Sequence, residues 1–261
     1  ILNQEAAIRG IDFNTIGLLI GMMVIVAITR QSGIFQFLAI WAAKKVNAQP
    51  WGILVMISLV TATTSAFLDN VTTVLLVVPV TLLITEELKV KPYPYLFAMI
   101  FASNIGGTAT LIGDPPNIMI GSATGLTFND FAYNLTPVIL VIMAATLVPI
   151  YFIWGRHLRA APEDRQRVMQ FNEYEAITDV RLLKQCLVVI GLVVAGFIFA
   201  KVLHLEAATV AIFGAAILLL LANFGHDAEH QSKHVLEAFN EVEWITIFFF
   251  VGLFIVVYGV E

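Results

Sequence analysis

Two aspartates stand alone in long apolar stretches of the 261-residue sequence. Asp69 is the only charged residue of Pro50–Thr85, and Asp114 is the only charged residue of Pro94–Ala123. If these stretches enter a membrane, each ionised carboxylate costs roughly 2.5–3.5 kcal/mol even on a lenient insertion scale. A bound cation or an exchangeable proton would offset that cost, so both aspartates are candidates for an ion-binding site.

Neutral side chains that carry oxygen surround both aspartates and extend the candidate site. A purely structural interpretation is also open, because Asp69 or Asn70 could cap a returning helix. Asp114 could likewise cap a helix that begins at Pro115. Asparagine or serine would cap without a charge, which favours ion binding. The candidate ion- or substrate-binding residues are Asp69, Asn70, Thr72, Thr73, Ser103, Asn104, Gly106, Gly107, Thr108, Asp114 and Asn117, and sodium is a candidate ligand of Asp69, Asn70, Asn104 and Asp114.

The composition indicates which elements must position these residues. Hydrophobic residues make up 59% of the chain, charged residues only 13%, and the mean hydropathy is +0.88. Soluble domains carry roughly 25% charged residues, and the apolar runs are too long for the roughly 10-residue strands of a membrane barrel. The sequence therefore predicts an all-α integral membrane protein whose partner is the lipid bilayer. The net charge of −5, with no basic patch outside the loops, argues against nucleic-acid binding.

Two stretches are predicted to depart from simple spanning helices. Pro50–Thr85 is too long for one crossing, so it must fold back near Asp69 as a helical hairpin. The middle of Pro94–Ala123 contains Gly106, Gly107, Pro115 and Pro116, which predict two half-helices with an unwound centre. The other predicted elements are a span at Ile11–Ile28, a short interfacial helix at Ile34–Val46, and continuous spans at Leu135–Trp154, Leu183–Leu203, Ala207–Phe224 and Trp244–Val260.

The distribution of basic residues predicts the orientation. If the basic loop 156–181 is cytoplasmic, 12 of the 14 lysines and arginines fall on the same side, including Lys44 and Lys89. Only Arg9 and Lys201 fall on the other side. We therefore expect a multi-pass protein of the inner (plasma) membrane with loop 156–181 in the cytoplasm.

Two segments near the ends of the chain resemble each other. Ile11 begins "IDFNTIGLLIGMMVIV" and Val242 begins "VEWITIFFFVGLFIVV", and the predicted orientation makes the two helices run in opposite directions. Similar segments of opposite direction are typical of inverted-repeat transporters. We therefore predict a first repeat with connecting helices in residues 1–224, and a linker with the truncated start of a second repeat in residues 225–261. The remaining half would be needed for a complete site.

The two aspartate motifs, "SAFLDNVTTVLLVVPVT" and "SNIGGTATLIGDPPNIMIG", resemble the ion-transporter superfamily of arsenite permeases and NhaD-type sodium/proton antiporters, which share a citrate-transporter-like domain. The likeness is closest to the melanosomal P protein and its prokaryotic relatives. It implies an inverted-repeat secondary transporter with a re-entrant hairpin and a broken helix in each repeat, usually within a homodimer. In the antiporters, the residues that handle cations and protons match Asp69, Asn70, Asn104 and Asp114. Pro116 and Asn117 replace two hydroxyl residues of the antiporter motif, which favours the P-protein or arsenite-permease side.

The function predicted from these observations is secondary active ion transport by alternating access, coupled to a cation or proton, with sodium/proton antiport as one form. The alternatives are a permease for arsenite or another anion, because broken helices direct the positive ends of their dipoles to the centre, and a passive ion channel. The motifs of intramembrane aspartyl proteases are missing, so we expect no enzyme activity and no cofactor beyond a coupling Na⁺ or H⁺. We expect Asp69→Asn to fold and lose pH-coupled transport. Asp114→Asn is expected to weaken ion affinity, a milder defect if capping is the main role of Asp114.

Weaker signals come from three histidines and one cysteine. His226, His230 and His234 are spaced for one face of a helix and could hold a metal, although a solvated amphipathic helix is the favoured interpretation. Cys186 is the only cysteine and is expected to be a packing residue.

Overall fold

A computed structural model of the chain describes residues 4–225 and 227–259, and this part contains α-helices and two 3₁₀ turns but no β-strand. The helices are α1 (Gln4–Arg9), α2 (Phe13–Gln31), α3 (Ile34–Lys45), α4 (Pro50–Ser65), α5 (Asn70–Glu87), α6 (Tyr93–Gly107), α7 (Pro115–Thr124), α8 (Phe128–Ile153), α9 (Pro162–Met169), α10 (Val180–Leu203), α11 (Ala207–Asn223), α12 (Ala228–Asn240) and α13 (Trp244–Tyr258). The 3₁₀ turns are Gly155–His157 and Glu173–Ala176.

The length and apolar character of the helices confirm an all-α membrane protein. Four helices of the described part, α2, α5, α8 and α10, are long and apolar enough to cross a membrane. The shorter α4 and α11 are also apolar, and the end of α12 forms with α13 an apolar pair bent by 51°. The chain folds back between α4 and α5, as the sequence predicts, and it leaves the helical conformation between the end of α6 and the start of α7. The predicted end of the last span, Val260, lies outside the described residues.

The chain forms two compact units, which are described separately. One unit comprises Arg30–Asn117 and Phe128–Leu183 and contains the hairpin and the break. Its core is built from buried side chains of α3 to α6, and the Tyr95 hydroxyl donates to the Pro50 carbonyl at 2.9 Å, which ties the start of α6 to the start of α4. The buried core includes Ala39, Ala43, Ile53, Leu54, Ile57, Val77, Ile84 and Met99.

The other unit comprises Ile1–Thr29, Ile118–Thr127 and Lys184–Glu261. Here α2 crosses α11 so closely that a Cβ on Gly21 would lie 2.7 Å from the carbonyl carbon of Ala211. The Asn14 side chain accepts the backbone N–H of Ala208 at 3.0 Å, which satisfies one free donor at the start of α11. A glycine and an asparagine of α2 therefore fix its packing against α11.

The two segments that resemble each other in sequence also begin with the same local structure. The Thr15 hydroxyl donates to the carboxylate of Asp12 at 2.6 Å, and the Thr246 hydroxyl donates to that of Glu243 at 3.0 Å. In both cases an acid just before a helix accepts a bond from the threonine three residues later. The resemblance between these segments therefore extends beyond apolar composition.

The predicted loop 156–181 is folded. Residues 155–179, which we call the polar cap, contain both 3₁₀ turns and α9. Glu173 pairs with Lys44 at the end of α3, and Asp164 lies 3.2 Å from Lys89 just beyond α5. Arg165 donates to the Asn47 carbonyl at 2.8 Å. The polar cap therefore lies at the same end of this unit as Lys44 and Lys89, as their charges predict.

Candidate functional site

The hairpin tip is formed by the turn between α4 and α5. Asp69 is the N-cap of α5, since one carboxylate oxygen accepts the backbone N–H of Thr72 at 2.8 Å. Its own carbonyl accepts the N–H of Thr73 at 3.1 Å. Asp69 therefore does perform the capping role that the sequence left open, and Thr72 contributes its backbone N–H to this cap.

Three hydrogen bonds fasten the tip to the broken helix. The Asn70 side chain donates to the Asn104 side-chain oxygen at 3.1 Å. The Ser65 hydroxyl donates to the Ser103 carbonyl at 2.7 Å, and the Thr110 hydroxyl donates to the Ala66 carbonyl. The sequence prediction named Asn70, Asn104 and Ser103 but missed Ser65 and Thr110. In the sequence, Ser65 and Thr110 are marked only as small hydroxyl residues, one next to the predicted hairpin turn and one in the predicted unwound centre.

The unwound centre begins later than the sequence predicts. Gly106 and Gly107 are the last residues of α6, and the N–H of Thr108 still bonds to the Asn104 carbonyl at 3.2 Å, so the predicted unwinding at the glycines is wrong. The glycines serve close packing instead. A Cβ on Gly106 would lie 2.1 Å from the Ala62 carbonyl oxygen, and one on Gly107 would lie 2.7 Å from the Gly113 carbonyl oxygen. The break itself spans residues 108–114.

Asn117 satisfies the backbone of the break. Its side-chain nitrogen donates to the Thr110 carbonyl at 2.8 Å and to the Thr108 carbonyl at 3.2 Å. Carbonyls released from a helix inside a membrane need such partners. Asn117 is the candidate ligand that replaces a hydroxyl of the antiporter motif. Its side-chain nitrogen is therefore already hydrogen-bonded to the backbone of the break.

Asp114 ends the break, directly before Pro115 at the start of α7. Within the described residues, no hydrogen-bond donor and no cationic side chain reaches its carboxylate, so the structure does not give it the capping role that the sequence left open. The carboxylate of Asp69 is close enough to repel it. The structure thus brings the two aspartates together, with one carboxylate bonded to a helix terminus and the other available.

The remaining candidate hydroxyls differ in how they are engaged. The Thr108 hydroxyl donates to the Asn104 carbonyl at 2.8 Å, and the Ser103 hydroxyl donates to the Ile100 carbonyl at 3.0 Å. Each keeps acceptor capacity on its oxygen. Thr73 is fully buried, and its hydroxyl has no hydrogen-bond partner among the described residues. All candidate residues of the site belong to one compact unit.

The three histidines and the cysteine singled out in the sequence do not form a metal site among the described residues. In the described part of the chain, no three histidine, cysteine or acidic side chains lie close enough together to hold a metal ion. His226 and the side chain of His230 lie outside the described residues. Cys186 is fully buried in α10, in agreement with a packing role.

A family model described as CitMHS, citrate transporter, matches residues 1–261. An uncharacterized transporter of Mycobacterium tuberculosis is 47% identical over 248 residues, covering 95% of this chain and 56% of the relative. The 46 kDa membrane protein of Mycobacterium leprae is 44% identical over 261 residues, covering 98% and 59%. The human P protein is 30% identical over 319 aligned positions, covering 95% and 37%. The chain thus spans a little more than half the length of the mycobacterial relatives.

Proposed function

The chain belongs to the CitMHS citrate transporter family, and from that premise we propose that it forms one half of a secondary active ion transporter coupled to a cation or proton. Membership of this family and the several apolar helices make it part of a multi-pass membrane transporter. Its site residues are proposed to bind and release an ion, and none is proposed to be catalytic. Sodium/proton antiport is the specific form that the two aspartates favour.

The observation that carries this proposal is the available carboxylate of Asp114 beside the capped carboxylate of Asp69. Two carboxylates of like charge repel each other, and a bound Na⁺ or a proton removes that repulsion. The Asn104 side-chain oxygen and the break carbonyls supply neutral oxygens of the kind that coordinate Na⁺ in broken-helix transporters. We assign exchange of the ion to Asp114 and positioning of the hairpin tip to Asp69.

Alternating access would follow from the repeat architecture. We propose that the segment from Val242 begins a second, inverted repeat, whose own hairpin and broken helix complete the site. The remaining features of this proposal are a homodimer, insertion in the inner (plasma) membrane and a polar cap that faces the cytoplasm. The concentration of lysine and arginine around the polar cap supports that orientation. An impermeant reagent that labels Arg165→Cys from outside intact cells would contradict it.

Reconstitution of the full-length protein into liposomes tests the coupling. With a pH dye inside, an imposed Na⁺ gradient is expected to drive saturable proton movement in the wild type. Asp114→Asn, which is nearly isosteric but cannot titrate, is expected to abolish that movement. Asp69→Asn is the comparison variant, because asparagine also caps helices and so keeps the hairpin tip in place. Since Asp69 is the cap and the Asp114 carboxylate is available, we now expect Asp69→Asn to be the milder variant, the reverse of the ranking predicted from the sequence. Wild-type coupling in a folded Asp114→Asn protein would refute the proposal.

A second candidate, transport of an anion, is favoured by one specific observation. The N-termini of α5 and α7 both lie at the site, next to Asp69 and Asp114, and helix N-termini favour negative charge. Citrate is the substrate in the family's description, and arsenite is the other candidate from the resemblance. Uptake of labelled citrate or arsenite by the same liposomes, without proton movement driven by Na⁺, would favour this candidate. Flux that neither saturates nor responds to a pH gradient would indicate a channel.

A further inference from the structure

A cavity of about 390 Å³ lies between the turn after α5, the start of α6, the end of α8 and the first residues of the polar cap. Its polar wall consists of four exposed side chains that are all basic or can become so, Lys89, Lys91, His157 and Arg159. No acidic side chain is among the described residues that line it. The rest of the wall is apolar and consists of Val90, Pro94, Ile153, Trp154 and Leu158.

The charge of this cavity is only partly compensated. Lys89 lies 3.2 Å from the carboxylate of Asp164. That carboxylate also binds Arg167, which in turn lies 3.3 Å from the carboxylate of Glu87, so two carboxylates face two cations here. Within the described residues, Lys91 and Arg159 have no ion-pair partner. The cavity therefore presents net positive charge and suits an anionic ligand.

Aromatic side chains indicate the depth of the cavity relative to a membrane. The Trp154 ring stacks on Phe97 with centroids 5.8 Å apart and an interplanar angle of 15°. Trp154 directly follows α8, which is long enough to span, and tryptophan concentrates at the headgroup level of membrane proteins. Phe97 and Ile153 are exposed beside it. The position of Trp154 therefore favours a headgroup-level cavity, and exposed apolar side chains adjoin it.

We propose that this cavity binds the phosphate headgroup of an anionic phospholipid, with the acyl chains along the exposed side chains of α6 and α8. Lys91 and Arg159 bind the phosphate, Lys89 contributes while it remains paired with Asp164, and Trp154 lies at the level of the glycerol. Basic pockets between membrane helices are established binding sites for anionic headgroups in general. The apolar wall favours a lipid over free phosphate, because free phosphate would leave that wall uncovered.

Lys89 offers a variant that separates binding from folding. The φ angle of Lys89 is 54°, which lies in the left-handed region. Two hydrogen bonds end α5 at this position: the Lys89 N–H donates to the Glu86 carbonyl at 2.9 Å, and the Val90 N–H donates to the Thr85 carbonyl at 3.0 Å. Glycine is favoured at such a position. Lys89→Gly is therefore expected to relieve backbone strain while it removes one cationic wall residue.

Native mass spectrometry tests the proposal. Phosphatidylglycerol and phosphatidylcholine with identical acyl chains are added to the full-length protein in detergent, and the retention of the two lipids is compared. We expect preferential retention of phosphatidylglycerol and about a tenfold loss of its affinity in the double variant Lys91→Gln/Arg159→Gln. Lys89→Gly is expected to weaken binding by a smaller factor while the thermal unfolding midpoint stays equal or rises. The matched control is Lys45→Gln/Lys184→Gln, which removes two exposed basic residues outside the cavity.

Three outcomes would overturn the proposal. Equal retention of both lipids would mean that the bound lipid is unspecific. Equal loss in the control double variant would mean that overall charge, and not this cavity, attracts the lipid. Full competition by millimolar inorganic phosphate would show a site for free anions instead of a lipid headgroup.

Discussion

The polar cap and the hairpin–break site (the turn at residues 66–69 and the break at residues 108–114) lie in the same compact unit. Two acidic side chains of each region differ in what surrounds them. In the polar cap, Glu173 pairs with Lys44, and Asp164 pairs with Lys89 and Arg167. At the hairpin–break site, Asp69 is bonded to the start of α5, and within the described residues nothing bonds to the carboxylate of Asp114. Glu173 and Asp164 are thus compensated by cations, whereas Asp114 faces a second negative charge.

The paired acids of the polar cap stabilise the fold, whereas the Asp114 carboxylate is available to bind a ligand. The ion pairs Lys89–Asp164 and Lys44–Glu173 join residues 75 and 129 positions apart and so fasten a connecting segment to the ends of α5 and α3. A carboxylate without a partner inside a membrane destabilises the fold unless an ion or proton binds. The following predictions test that distinction, beginning with the largest expected effect.

The tightest backbone contact of the hairpin–break site is at Gly106. Gly106→Ala would place a methyl group 2.1 Å from the Ala62 carbonyl oxygen, and we expect the free energy of unfolding to fall by about 1–3 kcal/mol or more. Gly191→Ala is the control, since a Cβ there meets nothing within 4 Å and alanine favours a helix by about 0.5–1 kcal/mol. Denaturant titration in mixed micelles measures both. Equal stability of the two variants would show that α4 and α6 are not in close contact.

Asn117 is the next most sensitive position of the site. Asn117→Leu removes both donors to the break carbonyls of Thr108 and Thr110, and buried carbonyls without partners cost about 1–3 kcal/mol. Asn117→Asp keeps the shape but replaces the donor by acceptors, so we expect it to be at least as destabilised. If both variants unfold like the wild type in the same titration, Asn117 does not hold the break and is free to act as an ion ligand.

Much of this site could be predicted from the sequence because its signals are local. A lone aspartate in an apolar run indicates both a turn and a site, which located the hairpin tip at Asp69 and the end of the break at Asp114. The glycine pair was misinterpreted because glycine permits unwinding and close packing alike, and only the position of Ala62 distinguishes them. Ser65 and Thr110 were missed because hydroxyl-to-carbonyl bonds depend on tertiary contacts. The folded polar cap was missed because its ion-pair partners lie far apart in sequence.

The same substitution, Asp→Asn, is expected to have opposite effects in the two regions. Asp164→Asn weakens the bonds to two cations, Lys89 and Arg167, whose side chains are exposed. We therefore expect the free energy of unfolding to fall by about 1 kcal/mol. Asp114→Asn removes a charge without a partner, and we expect a gain of about 0–1 kcal/mol in medium without the coupling ion. Unfolding midpoints of both variants, with and without Na⁺, measure the contrast. Asp114→Asn is also expected to remove any stabilisation of the wild type by Na⁺.

Destabilisation by Asp114→Asn as large as that of Asp164→Asn would contradict the comparison. It would mean that the Asp114 carboxylate has a structural partner and is not available for an ion.

The smallest effect concerns pH and the ion pair of Glu173. The hydrogen bond from Lys44 lowers the pKa of Glu173 below its ordinary value of 4.5. A carboxyl whose pKa is lower in the folded state stabilises the fold above its unfolded pKa, and this contribution disappears as the pH falls through the folded pKa. The unfolding midpoint of the wild type should therefore decline below about pH 4.5 more steeply than that of Glu173→Gln. High salt should reduce the difference, because both partners are partly exposed. Parallel profiles for the two proteins would show that this pair does not fasten the polar cap, and the compensation that distinguishes the cap from the hairpin–break site would then rest on Asp164 alone.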